Sequence, residues 1–166
     1  METNKLYELL LELPLLSVTD VKIASKTIII HCESKLGEAF CPCCLKPCSK
    51  VNQQRVRVIK DLSISGREVS LNLTTRQFIC LDCDRTFYEK FAFVNSYERM
   101  TIRYENFIYK RCVGVEIKYV SLQEDLVWHT VNRIFKKWSA RTIENADLFG
   151  NVRALGIDEI ALKKGH

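Results

Sequence analysis

Hydrophobic and polar positions change period along the chain, and each change marks an element. Leu6, Leu9, Leu10 and Leu13 recur at helical spacing and predict a short helix within residues 1–16. Val21-Lys22-Ile23 and Thr27-Ile28-Ile29-Ile30 read as two short strands around Ala24-Ser25-Lys26. Residues 55–59 and 69–73 alternate apolar with polar and predict a further strand pair, with Ser65-Gly66 as the turn signal between them. From Thr101 to about Ile143 the pattern is helical. Residues 102–113 form one helix, with Ile102, Phe107, Ile108 and Cys112 as its core contacts, and residues 117–124 a shorter one with Val120 inward. Trp128, Val131, Ile134, Phe135 and Trp138 then trace a wide apolar stripe along a third. Residues 145–151 read as a connector, and residues 152–160 as an apolar buried strand.

Composition narrows the class. Hydrophobic residues make up 47% and charged residues 27% of the 166 positions, a folded rather than disordered balance. No stretch approaches the roughly 18 uninterrupted apolar residues of a membrane span. The apolar run at residues 9–16 is broken by Glu12 and Pro14 and preceded by Glu2 and Glu8, where a signal peptide carries basic residues. The expected location is cytoplasmic, associated with the nucleoid, with no membrane partner. The net charge of +5 is modest, but it is not spread evenly. Residues 99–141 hold nine basic and four acidic side chains, and nine minus four equals the whole excess. A basic segment in an otherwise neutral chain is the footprint of a phosphate-binding module.

The cysteines carry the sharpest chemistry. Cys41-Pro42-Cys43-Cys44 and Cys80-Leu81-Asp82-Cys83 each offer two thiols two residues apart, so that one tight turn aims both sulfurs at one ion. A hairpin between the two pairs returns the chain to its start and completes a four-sulfur shell, the logic of a zinc ribbon. Phe78 and Phe87 flank the second pair and would shield it. Cys41, Cys44, Cys80 and Cys83 are therefore the expected ligands of one structural zinc. Cys43 sits inside the first turn, and it or Cys48 would be the competitor for a ligand position; Cys32, Cys48 and Cys112 otherwise read as ordinary small apolar or surface positions. Buried free thiols or a redox disulfide are the other readings. A thiol redox protein predicts a reversible disulfide and no metal, and the βαβ setting of a thioredoxin-like motif is missing.

The polar face of the last helix holds His129, Thr130, Asn132, Arg133, Lys136 and Lys137. Asparagine and arginine are the side chains that read adenine and guanine edges, and lysines hold phosphates. Three helices with a short turn before a polar-faced last one predict a helix-turn-helix, with these six as DNA contacts. Asp158, in the terminal apolar strand, is costly there unless paired or bound to a cation.

The order Cys-Pro-x-Cys, hairpin, Arg-x-Phe-x-Cys-x-x-Cys, helix-turn-helix and Leu-Gly-Ile-Asp-Glu resembles the transposases of the ISL-three insertion-sequence family. Cys41, Pro42, Cys44, Arg76, Phe78, Cys80, Cys83, Arg85, Thr86 and Phe87 carry the first part. Thr130, Val131, Arg133, residues 155–159 and residues 163–166 carry the rest. Leu45, where members commonly have glycine, and the extra Cys43 depart from the pattern. The resemblance implies front domains that bind the terminal inverted repeats of the element as double-stranded DNA. It also implies a ribonuclease-H-like core that cuts and joins DNA with magnesium on two aspartates and a glutamate, Asp158 being the first, and a homo-oligomeric assembly. The chain ends eight residues past Asp158 without the second aspartate and the glutamate, so the expectation is a catalytically incomplete polypeptide, with magnesium relevant only to an intact enzyme. The alternative is a stand-alone zinc-ribbon and helix-turn-helix transcriptional regulator.

The fold class expected is α+β: a small N-terminal β and zinc-ribbon module, a helix-turn-helix module and a stub of an RNase H-like domain. The expected division is a helix and β-hairpin at 1–38, a four-cysteine ribbon at 39–95, the helix-turn-helix at 96–145 and the start of the catalytic domain at 146–166.

Overall fold

Two 14-residue strands organise the molecule, and every other element is placed by them. A computed structural model describes residues 2–144; the expected connector, terminal strand and Asp158 lie outside the described residues. The elements are α1 (Glu2–Leu11), β1 (Leu16–Ile23), β2 (Thr27–Ser34), β3 (Ala39–Phe40), β4 (Pro47–Cys48), β5 (Val51–Ile64), β6 (Arg67–Cys80), β7 (Arg85–Tyr88), α2 (Ile102–Cys112), α3 (Ile117–Gln123) and α4 (Trp128–Glu144). The mixed α+β class expected from the sequence is what forms.

β5 and β6 are antiparallel around Ser65-Gly66, where Ser65 (φ 50°) and Gly66 (φ 74°) both take the left-handed conformation a tight hairpin needs. β6 then pairs with β2 in parallel, Ile30 opposite Leu71 and Cys32 opposite Leu73. The sheet order is β1-β2-β6-β5, with β7 added to the far end of β6. The N-terminal hairpin and the ribbon hairpin, on either side of position 38, thus share one sheet. They also share one core, in which Ile28, Ile30, Ile59, Val69, Leu71 and Leu73 are buried on a single face. The alternation of burial along β6 is the period-two pattern of a sheet with one face covered.

α1 covers part of that face, but three of the four leucines that predicted it take no part in the contact. Leu6, Leu9 and Leu10 are exposed, and the helix docks through Leu11, with Tyr7 and Leu13 packed beside it. Phe91, Phe93 and Val94, in the segment between β7 and α2, cover more of it.

The three helices pack on a second core of Tyr104, Ile108, Cys112, Val120, Val131 and Ile134. Phe107, expected inside, is 37% exposed and stacks on Tyr104, which takes the buried position instead. Thr101 caps α2, its hydroxyl accepting from the Tyr104 amide at 3.2 Å.

Strand β5 anchors this helical unit. The Lys60 amide donates to the Arg99 carbonyl at 2.8 Å, and the Thr101 amide donates to the Lys60 carbonyl at 3.0 Å. Next to that bridge Asp61 is buried, accepting from Thr101 Oγ1 at 2.7 Å and from Arg103 Nε at 2.8 Å. Arg103 Nη2 completes a bidentate pair with the same carboxylate, and its Nη1 donates to the Leu11 carbonyl at 2.6 Å. One arginine of α2 therefore ties sheet, helical unit and α1 together.

Candidate metal centre and nucleic-acid interface

Each cysteine pair sits at the tip of a hairpin. Cys41 to Cys44 turn between β3 and β4, closed by the Cys41 amide on the Lys46 carbonyl at 2.9 Å. Cys80 to Cys83 turn between β6 and β7, whose register runs Phe78 opposite Phe87 and Cys80 opposite Arg85. The long β5–β6 hairpin brings the two tips together. The four sulfurs of Cys41, Cys44, Cys80 and Cys83 all lie within 4.8 Å of one another. Cys41 and Cys83 are 3.6 Å apart, and Cys44 and Cys80 are 3.4 Å apart. A tetrahedron with bonds of about 2.3 Å to zinc has sulfur edges of roughly 3.8 Å, so the donor set fits a zinc ion without rearrangement.

Backbone polarity supports the same conclusion. Cys41 accepts from the Cys44 and Cys43 amides, which hold its pKa below the ordinary thiol value. Cys80 is arranged identically: burial opposes ionisation, but the Cys83 and Asp82 amides and the Cys44 and Cys83 thiols hold its pKa down to about 6. Amide N–H groups aimed at a sulfur favour its thiolate, the form a metal binds. The Lys46 ammonium, 2.5 Å from Asp82, lies close enough to feel Cys44 and Cys80 and adds positive charge at the rim. Phe78 is fully buried beneath the site and stacks with Phe87 at 6.1 Å between ring centroids.

The two competitors fall outside the set. Cys43 is exposed. Cys48 is buried with its pKa pushed up to about 11, chiefly by burial, which keeps it a neutral thiol facing the Lys46 carbonyl at 3.6 Å. Leu45 (φ 60°) and Asp84 (φ 50°) each follow the second cysteine of a turn in the left-handed conformation. That is the conformational reason a glycine suits the position Leu45 occupies.

Glu89 is a residue the sequence reading missed. Its carboxylate, 6% exposed, accepts from the Arg76 amide at 2.7 Å and forms a bidentate pair with the Arg76 side chain, which also reaches the Leu36 carbonyl. This clamp fixes β6 against the segments leading into and out of the metal site. Glutamate just after a strand carries no sequence signal for that role.

On α4, Val131 and Ile134 are buried, while His129, Arg133 and Lys136 share the exposed face at i, i+4 and i+7. Thr130, Asn132 and Lys137 are half-buried on its flanks. Two of the six already hold carboxylates. Arg133 makes a bidentate pair with Glu98 at 2.7 and 3.1 Å. Lys137 lies 2.7 Å from Glu105, a fully buried glutamate whose other oxygen has no partner among the described residues. Trp128, first in the apolar stripe, is 43% exposed and meets His129 edge-on. α3 leads into α4 through residues 124–127, where Asp125 takes φ 48° and the Leu126 amide closes on the Ser121 carbonyl at 2.9 Å.

Comparison with known proteins bears on the cysteine-bearing end most directly. Residues 37–83 match the family model described as zinc-finger of transposase IS204/IS1001/IS1096/IS1165, a span that contains all four cysteines. Over 141 residues, 85% of the chain, it is 27% identical to the transposase for insertion sequence element IS1001 of Bordetella parapertussis. The chain spans about a third of that relative's length, 34%. No solved structure matches. Among the described residues no helix is long and apolar enough to cross a membrane.

Proposed function

We propose that this chain, the N-terminal part of an ISL-three-family transposase by its zinc finger and its relative, binds double-stranded DNA at the terminal inverted repeats of an insertion sequence. In this reading α2, α3 and α4 act as a helix-turn-helix. His129, Thr130, Asn132 and Arg133 approach base edges and Lys136 stands towards a phosphate, whereas Lys137, expected from the sequence to do the same, holds the buried Glu105. The zinc, held by Cys41, Cys44, Cys80 and Cys83, is structural: four protein sulfurs leave no open position for substrate. The observation that carries the proposal is the exposed row of His129, Arg133 and Lys136 on a helix whose other face is locked into a core. The cutting and joining chemistry that the resemblance attaches to Asp158 and magnesium belongs to an intact enzyme and involves residues outside those described; a homo-oligomer is part of the same proposal.

A gel-shift series on a duplex carrying the terminal repeat tests it. Arg133→Ala and Lys136→Ala are each expected to weaken binding several-fold, in line with about 1–3 kcal/mol for a base contact and less for a phosphate. Neither should move the melting temperature, because the exposed Arg133–Glu98 pair contributes only about 0–1 kcal/mol. Lys137→Ala should behave differently. It strands the buried Glu105 and is expected to cost about 3 kcal/mol of stability. Full affinity in Arg133→Ala would remove α4 as the recognition helix.

A further inference from the structure

A cleft runs from the metal site along β5 to the segment 97–99, and it is lined by arginines that hold no carboxylate. Its deeper part is a cavity of about 700 Å³ bounded by Arg55, Arg57, Thr75, Tyr88 and Tyr97 among others. A shallower part of about 420 Å³ adjoins it, sharing Arg55, Arg57 and Tyr97 and adding Arg99. Among the described residues, Arg55, Arg57 and Arg99 have no carboxylate partner. Arg55 lies 4.1 Å over the Tyr88 ring, and Arg57 donates to the Glu98 and Asn95 carbonyls. Burial and the neighbouring Arg55 lower the pKa of Arg57, as expected of like charges held together without an anion. The acidic residues nearby do little to offset them. Glu89 is held by Arg76, and the Glu98 carboxylate points to Arg133 and Lys137, leaving Glu38 on a cavity wall that Lys90 also lines.

Three further observations point to a ligand. Thr75, 1% exposed, has a hydroxyl with no hydrogen-bond partner among the described residues, and it lines the cavity. Tyr97 is 88% exposed at φ 66°, a conformation that a bulky residue adopts only at a cost of about 1–3 kcal/mol. Phe40, also lining the cavity, is 66% exposed. Basic groups interleaved with unpacked aromatic rings suit a DNA backbone: phosphates on the guanidinium groups, sugars against the rings. Glu98 joins the cleft to α4, since its carbonyl accepts from Arg57 while its carboxylate holds Arg133.

We infer that this cleft is a second DNA contact, in which Arg55, Arg57 and Arg99 hold backbone phosphates of the same DNA that α4 reads, with Tyr97 packed on the strand. This rests on the DNA-binding reading above. Helix and ribbon would then grip one continuous stretch, the helix supplying sequence and the cleft supplying register.

The test is the salt dependence of binding by the full chain to a fluorescent random-sequence duplex, a probe that phosphate contacts recognise without base readout. Each phosphate contact contributes about 0.9 to the slope of log affinity against log salt. Arg55→Gln/Arg57→Gln should lower the slope by about 2 and weaken binding by at least tenfold at 0.15 M salt. Tyr97→Ala should weaken binding several-fold. Arg55→Glu, at an exposed position, should also flatten the slope, and it serves if the double variant melts early. An unchanged slope and affinity in these variants, while Lys136→Ala loses affinity, would overturn the cleft and leave α4 standing. A wild-type chain that binds neither this duplex nor the terminal repeat would overturn both.

Discussion

Cys80→Ser should abolish zinc uptake and unfold the ribbon tips while the sheet behind them survives. Serine keeps the shape and the amide hydrogen bonds of Cys80, but its hydroxyl does not ionise near neutral pH and cannot replace a thiolate. Apparent binding energies of structural zinc are about 10–16 kcal/mol, as large as the whole stability of a typical domain, so one lost ligand decides the local fold. Of the large apolar side chains in residues 39–48 and 78–88, Phe78 and Phe87 are the ones packed around the cysteines, so the turns depend on the metal for most of their cohesion. Hydrogen exchange should therefore become fast across both segments, while amides near Ile30, Ile59 and Leu71 stay protected by their own core. Cys43→Ser, at an exposed thiol, should keep full zinc content. Zinc retained in Cys80→Ser, or lost in Cys43→Ser, would mean that the ligand set is wrong.

Arg103→Ala should be the most damaging substitution away from the metal. It leaves the Asp61 carboxylate, 1% exposed, with only the Thr101 hydroxyl, and it frees the Leu11 carbonyl. Removing one partner of a buried ion pair costs about 3–5 kcal/mol, mostly the penalty of the stranded charge. The expected result in urea denaturation is a loss of that size. Asp61→Leu/Arg103→Met should recover most of it, because no charge is then left buried. A single variant as stable as the parent, or a double variant no better than the single, would show that this contact does not hold the helical unit to the sheet.

What the sequence made legible follows the range of the forces involved. The cysteine turns are local objects: a two-residue gap and the amides within it set the geometry, so the four of eight cysteines that cluster are identifiable by spacing. β5 and β6 show their alternation because one face is buried, and the α4 stripe shows because Val131 and Ile134 must face a core. β3 and β4 are two residues each, too short to express a period, and their existence depends on the metal-site turns they flank. The parallel pairing of β2 with β6 joins distant segments and leaves no local trace, which is why the N-terminal hairpin reads as separate from the ribbon. In α1 the leucines mislead by number, since docking geometry selects Leu11 and Tyr7 instead. The partners of Arg133 and Lys137 lie 35 and 32 residues away, and nothing in the last helix announces them.

A zinc titration of metal-free chain, followed by the fluorescence anisotropy of a labelled terminal-repeat duplex, tests most directly whether a metal-fixed ribbon and α4 form one DNA-binding surface. Tight binding should appear with added zinc and saturate at one equivalent per chain. Equal affinity before and after zinc, or saturation at any other ratio, would contradict it.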